Sequence, residues 1–351
     1  MKIIRLATLL IITAVFLSGC IIKVADNPAN SNGGVFATKD AGTSWINISS
    51  LLNVDGRSSF NNANITFLEI DNAEPFTLYA GTLEMGLLYS INNGVSWQST
   101  LIGVGRINDI AVSRQNQCLI YAAVNSFVYR SRDCARNWEI MLREAAQGAV
   151  VTSVGVDPEN DNIVYAATNK GAFYQSLDRG VSWQTKKFLK TYLKDIIINP
   201  ENGNTIYLAT RNTGIYRSLD KTASWDHLYS DYVAEFKEFG VHHQLILDPH
   251  NYNRLYYVND YGILVSENKG DDWEAMSLLT PANSLYIYNL AISKQDPNKI
   301  YYSTASTFYY TVDGGENWLT KKVPTSKVLL RLLTNPKEDG VIYAGTWALQ
   351  N

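Results

Sequence analysis

Histidine and cysteine are scarce in this chain, with four His and three Cys among 351 residues. His242 and His243 are adjacent, so in a strand they point to opposite faces, and His227 and His250 bring no second ligand at a usable spacing. No metal centre or other cofactor is expected from such a set. Positive charge is not in excess either: 30 Lys and Arg against 33 Asp and Glu leave a formal charge of −3, which argues against the basic domain that a nucleic-acid partner would need. The longest apolar stretch, Leu6 to Leu17, is too short to span a bilayer. The chain also lacks a low-complexity tail, a Gly/Ser linker and a second compositional block, so a single folded domain is expected. The acidic turn Asp157-Pro158-Glu159-Asn160 has counterparts at Asn199-Pro200-Glu201-Asn202 and Asp248-Pro249-His250-Asn251, and this recurrence marks it as a strand connection rather than a calcium loop.

What the chain does have is a repeated turn. Seven times a Trp closes an eight-residue polar segment: Thr38 to Trp45, Ser90 to Trp97, Ser131 to Trp138, Ser176 to Trp183, Ser218 to Trp225, Ser266 to Trp273 and Thr311 to Trp318. Successive Trp residues lie 41 to 52 positions apart, a period that belongs to repeat architectures. Each unit contains four short β-branched and aromatic runs bounded by Gly, Asn, Asp or Pro. In one unit these are Val151 to Val156, Ile163 to Thr168, Ala172 to Ser176 and Val181 to Gln184. Four antiparallel strands in about 45 residues read as a propeller blade. With the strands lettered A to D from the centre outward, there are seven A–B pairs and seven C–D pairs. The chain opens on a C–D pair and stops after an A–B pair. The expectation is an all-β, single seven-bladed propeller, closed by a composite blade made from N-terminal C–D and C-terminal A–B strands. In the other reading, Trp347 to Asn351 lead into a further C strand.

The repeated turn has a physical rationale. A carboxylate or amide at its third position (Asp40, Asn92, Asp133, Asp178, Asp220, Asn268 and Asp313) accepts backbone N–H bonds across the C–D turn; Gly at the fifth supplies a left-handed residue, and Trp45, Trp97, Trp138, Trp183, Trp225, Trp273 and Trp318 pack between sheets. Seven such turns in register resemble the Asp-box (BNR) repeat proteins, which include bacterial sialidases, the sortilin luminal domain, family 74 xyloglucan hydrolases and photosystem II assembly and stability factors. The resemblance covers residues 33–351. It implies the propeller fold, and it leaves function open because enzymes and binders share the turn. The arginine triad and Tyr nucleophile that a sialidase would require find no assignable counterparts. The xyloglucan hydrolases use paired carboxylates between two tandem propellers, of which only one is present. Asp109 and Asp195, each just inside an A strand, are the one carboxylate pair that a glycosidase reading offers.

The N-terminus has its own pattern. Lys2 and Arg5 precede the apolar stretch, and Leu17-Ser18-Gly19-Cys20 resembles the bacterial lipobox. The resemblance implies a signal peptide over 1–19, a lipidated Cys20, a polar tether over 20–32 and a propeller held at the cell envelope outside the cytoplasm, on the outer membrane if the cell has one. Cys118 and Cys134 fall near each other in a B–C hairpin turning at Asn125 and Ser126. Export favours a disulfide between them; two buried thiols are the other reading.

Four long D–A connections, 46–64, 139–150, 226–241 and 274–285, share one face with the B–C turns. Tyr229, Tyr232, Phe236 and Phe239 lie in the third, and Tyr286 and Tyr288 lead into the following blade. Either these rings contact a protein or glycan, or they cover their own blades. Arg106, Lys190, Lys194, Lys327 and Arg331 stand at or near the starts of A strands, where they could ring the channel mouth and attract acidic groups. The functional expectation is a non-catalytic, lipid-anchored scaffold that binds a protein or glycan ligand on this face. A glycoside hydrolase or sialidase is the alternative, and an assembly-factor-like chaperone of membrane complexes is the second.

Overall fold

The computed structural model of the chain describes residues 32–53, 56–71, 74, 76–228 and 235–349. Cys20, Tyr229 and Tyr232 lie outside the described residues. The described chain forms seven four-stranded antiparallel sheets and one added two-stranded hairpin. A representative blade runs Val151–Val156, Val164–Thr168, Ala172–Ser176 and Gln184–Phe188 from the centre outward. The innermost strands meet in sequence around the circle, and Val328–Thr334 packs on Ile65–Ile70 to complete it. This is a closed seven-bladed β-propeller.

The closing blade is composite. Its sheet order is Ile46–Asn47, Val35–Thr38, Ile342–Trp347 and Val328–Thr334, so two strands from each end of the chain share one sheet. Val35 pairs with Gly345 and Thr38 with Ile342, and the Thr346 N–H donates to Gly34 O at 3.0 Å. This pairing leaves neither two-stranded half of the blade with an open edge at the seam.

The seven Trp turns repeat one hydrogen-bond pattern. In each, the third-position Oδ1 accepts the backbone N–H of the seventh residue at 2.8 to 3.0 Å. The first-position hydroxyl accepts the fifth-position N–H at 2.8 to 3.1 Å. The fifth residue has positive φ throughout, including Ala135 at 68° and Thr222 at 77°, so these two hold a left-handed conformation without the freedom of glycine. The turn also ties back to its own blade. The fourth-position N–H donates to a carbonyl at the A–B connection, as in Arg179 to Asn162 O at 2.9 Å and Cys134 to Cys118 O at 3.3 Å. Cys118 and Cys134 thus sit face to face, with Cα atoms 3.9 Å apart.

Blades are joined at three radii. On the outside, four of the seven Trp indoles reach the preceding blade: Trp97 Nε1 donates to Ile48 O at 2.7 Å, Trp138 Nε1 to Thr100 Oγ1 at 2.9 Å, Trp183 Nε1 to Met141 O at 3.1 Å and Trp318 Nε1 to Ser277 O at 2.8 Å. At mid-radius, B-strand tyrosines donate to the following blade's turn, as Tyr121 Oη does to Arg179 O at 3.0 Å and Tyr207 Oη to Lys269 O at 3.2 Å.

The innermost joint is one that sequence reasoning did not anticipate. The A–B register slips by one residue near the start of the A strand in six blades, leaving Thr66, Asn108, Thr152, Lys194, His243 and Leu330 as bulged residues. Five of them donate to a backbone carbonyl of the next blade. The pairs are Thr66 to Ile107 O at 2.5 Å, Asn108 to Val151 O at 2.8 Å, Thr152 to Leu193 O at 2.7 Å, Lys194 to His242 O at 3.0 Å and His243 to Ile287 O at 3.0 Å.

A second departure from expectation lies in the connection 46–64. It folds into the hairpin Ser50–Asn53 with Gly56–Ser59, which docks on blade two through Trp97 N–H to Ser50 O and Leu52 N–H to Trp97 O. Phe60, buried just after it, meets the Trp97 ring edge-on at 5.5 Å.

Trp97 is fully buried and carries both the outer joint and the hairpin. Trp97→Ala is therefore expected to cost about 3 to 5 kcal/mol, as an aromatic removed from a packed core does. Trp138→Ala, at a partly exposed ring, is expected to cost less. Urea midpoints of the two variants would separate them.

Candidate functional site

On the face shared by the B–C turns and D–A loops, blades five, six and seven enclose a depression of about 470 Å³ lined in part by Tyr192, Lys194, Arg211, His242, His243 and Tyr286. Its geometry follows from the bulges. At each bulge one residue of the A strand turns sideways, so that Lys194 and His243 approach the neighbouring strand rather than their own sheet. The B–C turn of blade five supplies Arg211, whose N–H donates to Tyr192 O at 2.9 Å and whose O accepts from His242 N–H at 3.1 Å. The Arg211 guanidinium lies 5.7 Å from the Tyr192 ring centroid. Tyr286, 52% exposed, stacks on His243 at 4.0 Å and lies 4.6 Å from Tyr288.

The electrostatics are positive. Burial holds Lys194 below the usual ammonium range; Asp195 opposes this, and the nearby Arg331 and Arg211 add to it. Arg106 is likewise lowered, by burial first and then by Arg331, with Tyr192 opposing. Its guanidinium lies 5.6 Å from the Trp347 ring centroid. Arg106, Lys194 and Arg331, predicted from their positions in the chain, are thus electrostatic neighbours, and Arg211 joins them from a B–C turn that sequence reasoning passed over. Among the described residues, no ion pair involves any of the four.

The nearby carboxylates are already engaged. Asp195 Oδ2 meets His242 Nε2 at 2.7 Å, and Asp260 Oδ1 meets His243 Nε2 at 2.7 Å. Burial alone would raise Asp195, but the His242 hydrogen bond and the charges of Lys194 and Arg331 outweigh it and bring it down to about 2. Lys327 is turned away, with Nζ on Asn62 O at 3.2 Å.

Two aromatic expectations need correction. Phe236 is 4% and Phe239 0% exposed, so neither presents a surface. Phe239 meets Tyr257 and Trp273 edge-on at 5.2 and 5.9 Å, and Phe236 meets Tyr261 at 5.2 Å. Residues 235–241 lie over the end of blade six, and the two phenylalanines are used in covering it. Of the expected aromatics among the described residues, Tyr286 lines the depression, with Tyr288 beside it.

Asp109 and Asp195 do diverge in acidity. Burial lifts Asp109 to about 7, offset in part by bonds from Ser153 Oγ at 2.6 Å and Val154 N–H at 3.0 Å. Such divergence is what an acid/base pair uses. Yet the Asp109 oxygen holds blade four, the Asp195 oxygen holds His242, and neither residue lines the depression.

No family model matches the chain, and no curated protein matches it in sequence. Solved structures do resemble it in fold. A GH74 xyloglucanase from Xanthomonas campestris superposes with a TM-score of 0.65 at 17% identity over 81% of this chain, which spans about half (51%) of that enzyme. YCF48 bound to D1 peptide gives 0.60 at 16% identity, covering 82% of this chain and 94% of that one. YCF48 from Cyanidioschyzon merolae gives 0.62 at 12%, with 81% and 95% covered. At these identities the likeness establishes the propeller alone.

His242 has Nδ1 buried without a partner and Nε2 on a carboxylate, so its ring is neutral with the proton on Nε2. Burial lowers its pKa from 6.5 to about 4. The unfolded chain therefore takes up this proton first, and the stabilisation is fully present above about pH 6.5 and lost as pH falls towards 4. Urea midpoints measured across that window should decline, and His242→Gln should flatten the decline.

Proposed function

We propose that this chain is a lipid-anchored, extracytoplasmic propeller whose basic channel mouth captures an acidic segment of a protein partner. The observation that carries this reading is the cluster of Arg106, Lys194, Arg211 and Arg331 without ion-pair partners among the described residues, set beside the exposed ring of Tyr286. Unpaired guanidinium groups near a concave surface focus an attractive potential on carboxylates, and an open aromatic ring supplies apolar area for the intervening side chains. The YCF48 neighbour of matching length is bound to a peptide, which supports peptide capture as a use that this ring accommodates. The lipobox-like Leu17-Ser18-Gly19-Cys20 supports the anchor, and the close approach of Cys118 and Cys134 supports a disulfide formed in an oxidising compartment. The separated acidities of Asp109 and Asp195 favour glycoside hydrolysis as a second reading. Release of sugar from polysaccharides, lost in Asp109→Asn or Asp195→Asn, would replace the first reading with the second.

Two measurements test the proposal. Titration calorimetry with a soluble Asp/Glu-rich peptide should show binding that weakens as salt rises, and Arg211→Glu with Arg331→Glu should reduce affinity tenfold or more, a change of about 1.4 kcal/mol or greater. The outer-strand control Lys322→Glu should leave it unchanged. Equal affinity in all three proteins would remove the basic mouth from consideration. In cells supplied with an alkyne-tagged fatty acid, the wild-type chain should carry label and sediment with membranes, whereas Cys20→Ser should do neither.

A further inference from the structure

Opposite the basic mouth, on the face of the Trp turns, a second depression of about 210 Å³ opens between blades two and three, lined in part by Tyr89, Gln98, Gln117, Cys118, Cys134 and Arg136. Both cysteines are half-buried and line this opening. The other six blades provide an internal control on what the pair does for the fold. In each, the fourth-position N–H of the turn donates to the A–B connection at 2.7 to 3.0 Å with no sulfur involved: Ala41 to Gly340, Asn93 to Phe76, Arg179 to Asn162, Lys221 to Asn204, Lys269 to Asn253 and Gly314 to Asn298. Blade three makes the same bond, Cys134 to Cys118 O at 3.3 Å, and keeps its full turn pattern, with Asp133 Oδ1 accepting from Asn137 N–H at 2.8 Å. The left-handed backbone at Cys134, φ 58°, matches Ala41 at 53°, Arg179 at 59° and Lys269 at 63°. Neither the turn nor the docking of the strand calls for a covalent link.

We propose that Cys118 and Cys134 form a thiol–disulfide exchange site, accessible to a dithiol donor while the propeller remains folded. An incoming thiolate bonds to one of the two sulfurs and expels the other as a thiolate. The donor's second thiol then attacks the mixed disulfide. Two electrons and two protons pass to the protein, Cys118 and Cys134 become thiols, and the donor leaves as its own disulfide. Arg136, exposed at the rim with Nη1 on Asp133 O at 3.2 Å, lines the same opening as the two sulfurs. The oxidised resting state rests on the extracytoplasmic reading; the exchange itself does not, and the two are separable by experiment.

The test uses the full chain purified from membranes in detergent. Trapping with maleimide at lysis reports the resting state: a blocked pair agrees with an oxidising compartment, and free thiols would overturn that reading alone. Exchange is then followed on protein whose pair has been oxidised in vitro. Dithiothreitol should make both cysteines reactive to maleimide at a rate that doubles when the reductant is doubled, that is unchanged by urea below the unfolding transition, and that leaves tryptophan fluorescence native. Cys118→Ser and Cys134→Ser, each mixed with glutathione disulfide, should take up one glutathione while folded. A rate that ignores reductant concentration and climbs with urea, or thiol release only with loss of native fluorescence, would show a structural clasp freed by unfolding and overturn the proposal.

Discussion

Closure of the circle is the constraint on which everything else rests. A four-stranded blade cannot bury both of its faces alone, and each here does so only by lying against two neighbours. The pairing of Val35–Thr38 with Ile342–Trp347 converts a row of such blades into a ring in which every blade has both neighbours. It also brings together residues more than three hundred positions apart, so one blade assembles only when the whole chain is present. The channel, its two mouths and the neighbours of every bulged side chain are consequences of that closure.

The joints show how the ring gives the polar side chains at its inner strands partners on the neighbouring blade. A bulge in an edge-like inner strand frees one side chain from its own sheet and aims it at a carbonyl of the next. The same residue position therefore serves as a joint throughout, and where it is Lys or His it also lines the depression at the channel mouth. Lys194 does both: its ammonium bridges the carbonyls of His242 and His243 at 3.0 Å and contributes to the positive potential above them.

Much of this was legible in the sequence because the turn repeats. Third-position carboxylates and amides and closing Trp residues each have a local reason that can be read without neighbours, and counting strand pairs gave the composite blade. The channel-mouth cations could be placed because A-strand starts can be counted. The hairpin at 50–59 escaped notice because its strands have no repeat partner, and the bulges escaped because a one-residue slip leaves no mark in a hydrophobic pattern. Arg211 was missed for a related reason, since a B–C turn carries no periodic signal. Phe236 and Phe239 misled because composition does not distinguish a ring that covers a core from one offered to a ligand; only the packing against Tyr257, Tyr261 and Trp273 decides.

The inner joints run in one rotational sense, each blade donating to the next, and among the described residues the run lapses at Leu330, whose aliphatic side chain can donate nothing to the strand Ile65–Ile70 beside it. The boundary between the composite blade and its successor is held instead by Tyr343 Oη on Asn93 Oδ1 at 3.3 Å, by Ala348 N–H on Asn64 Oδ1 at 2.8 Å, and at the rim by the added hairpin, Phe60 and Trp97. With Asn289 Nδ2 donating to Leu329 O, the circle is fastened on the inside at six junctions, and at the seventh the clasp is carried by other contacts. Loosening the hairpin would therefore act on the one seam, among the described residues, that has no inner fastening of its own.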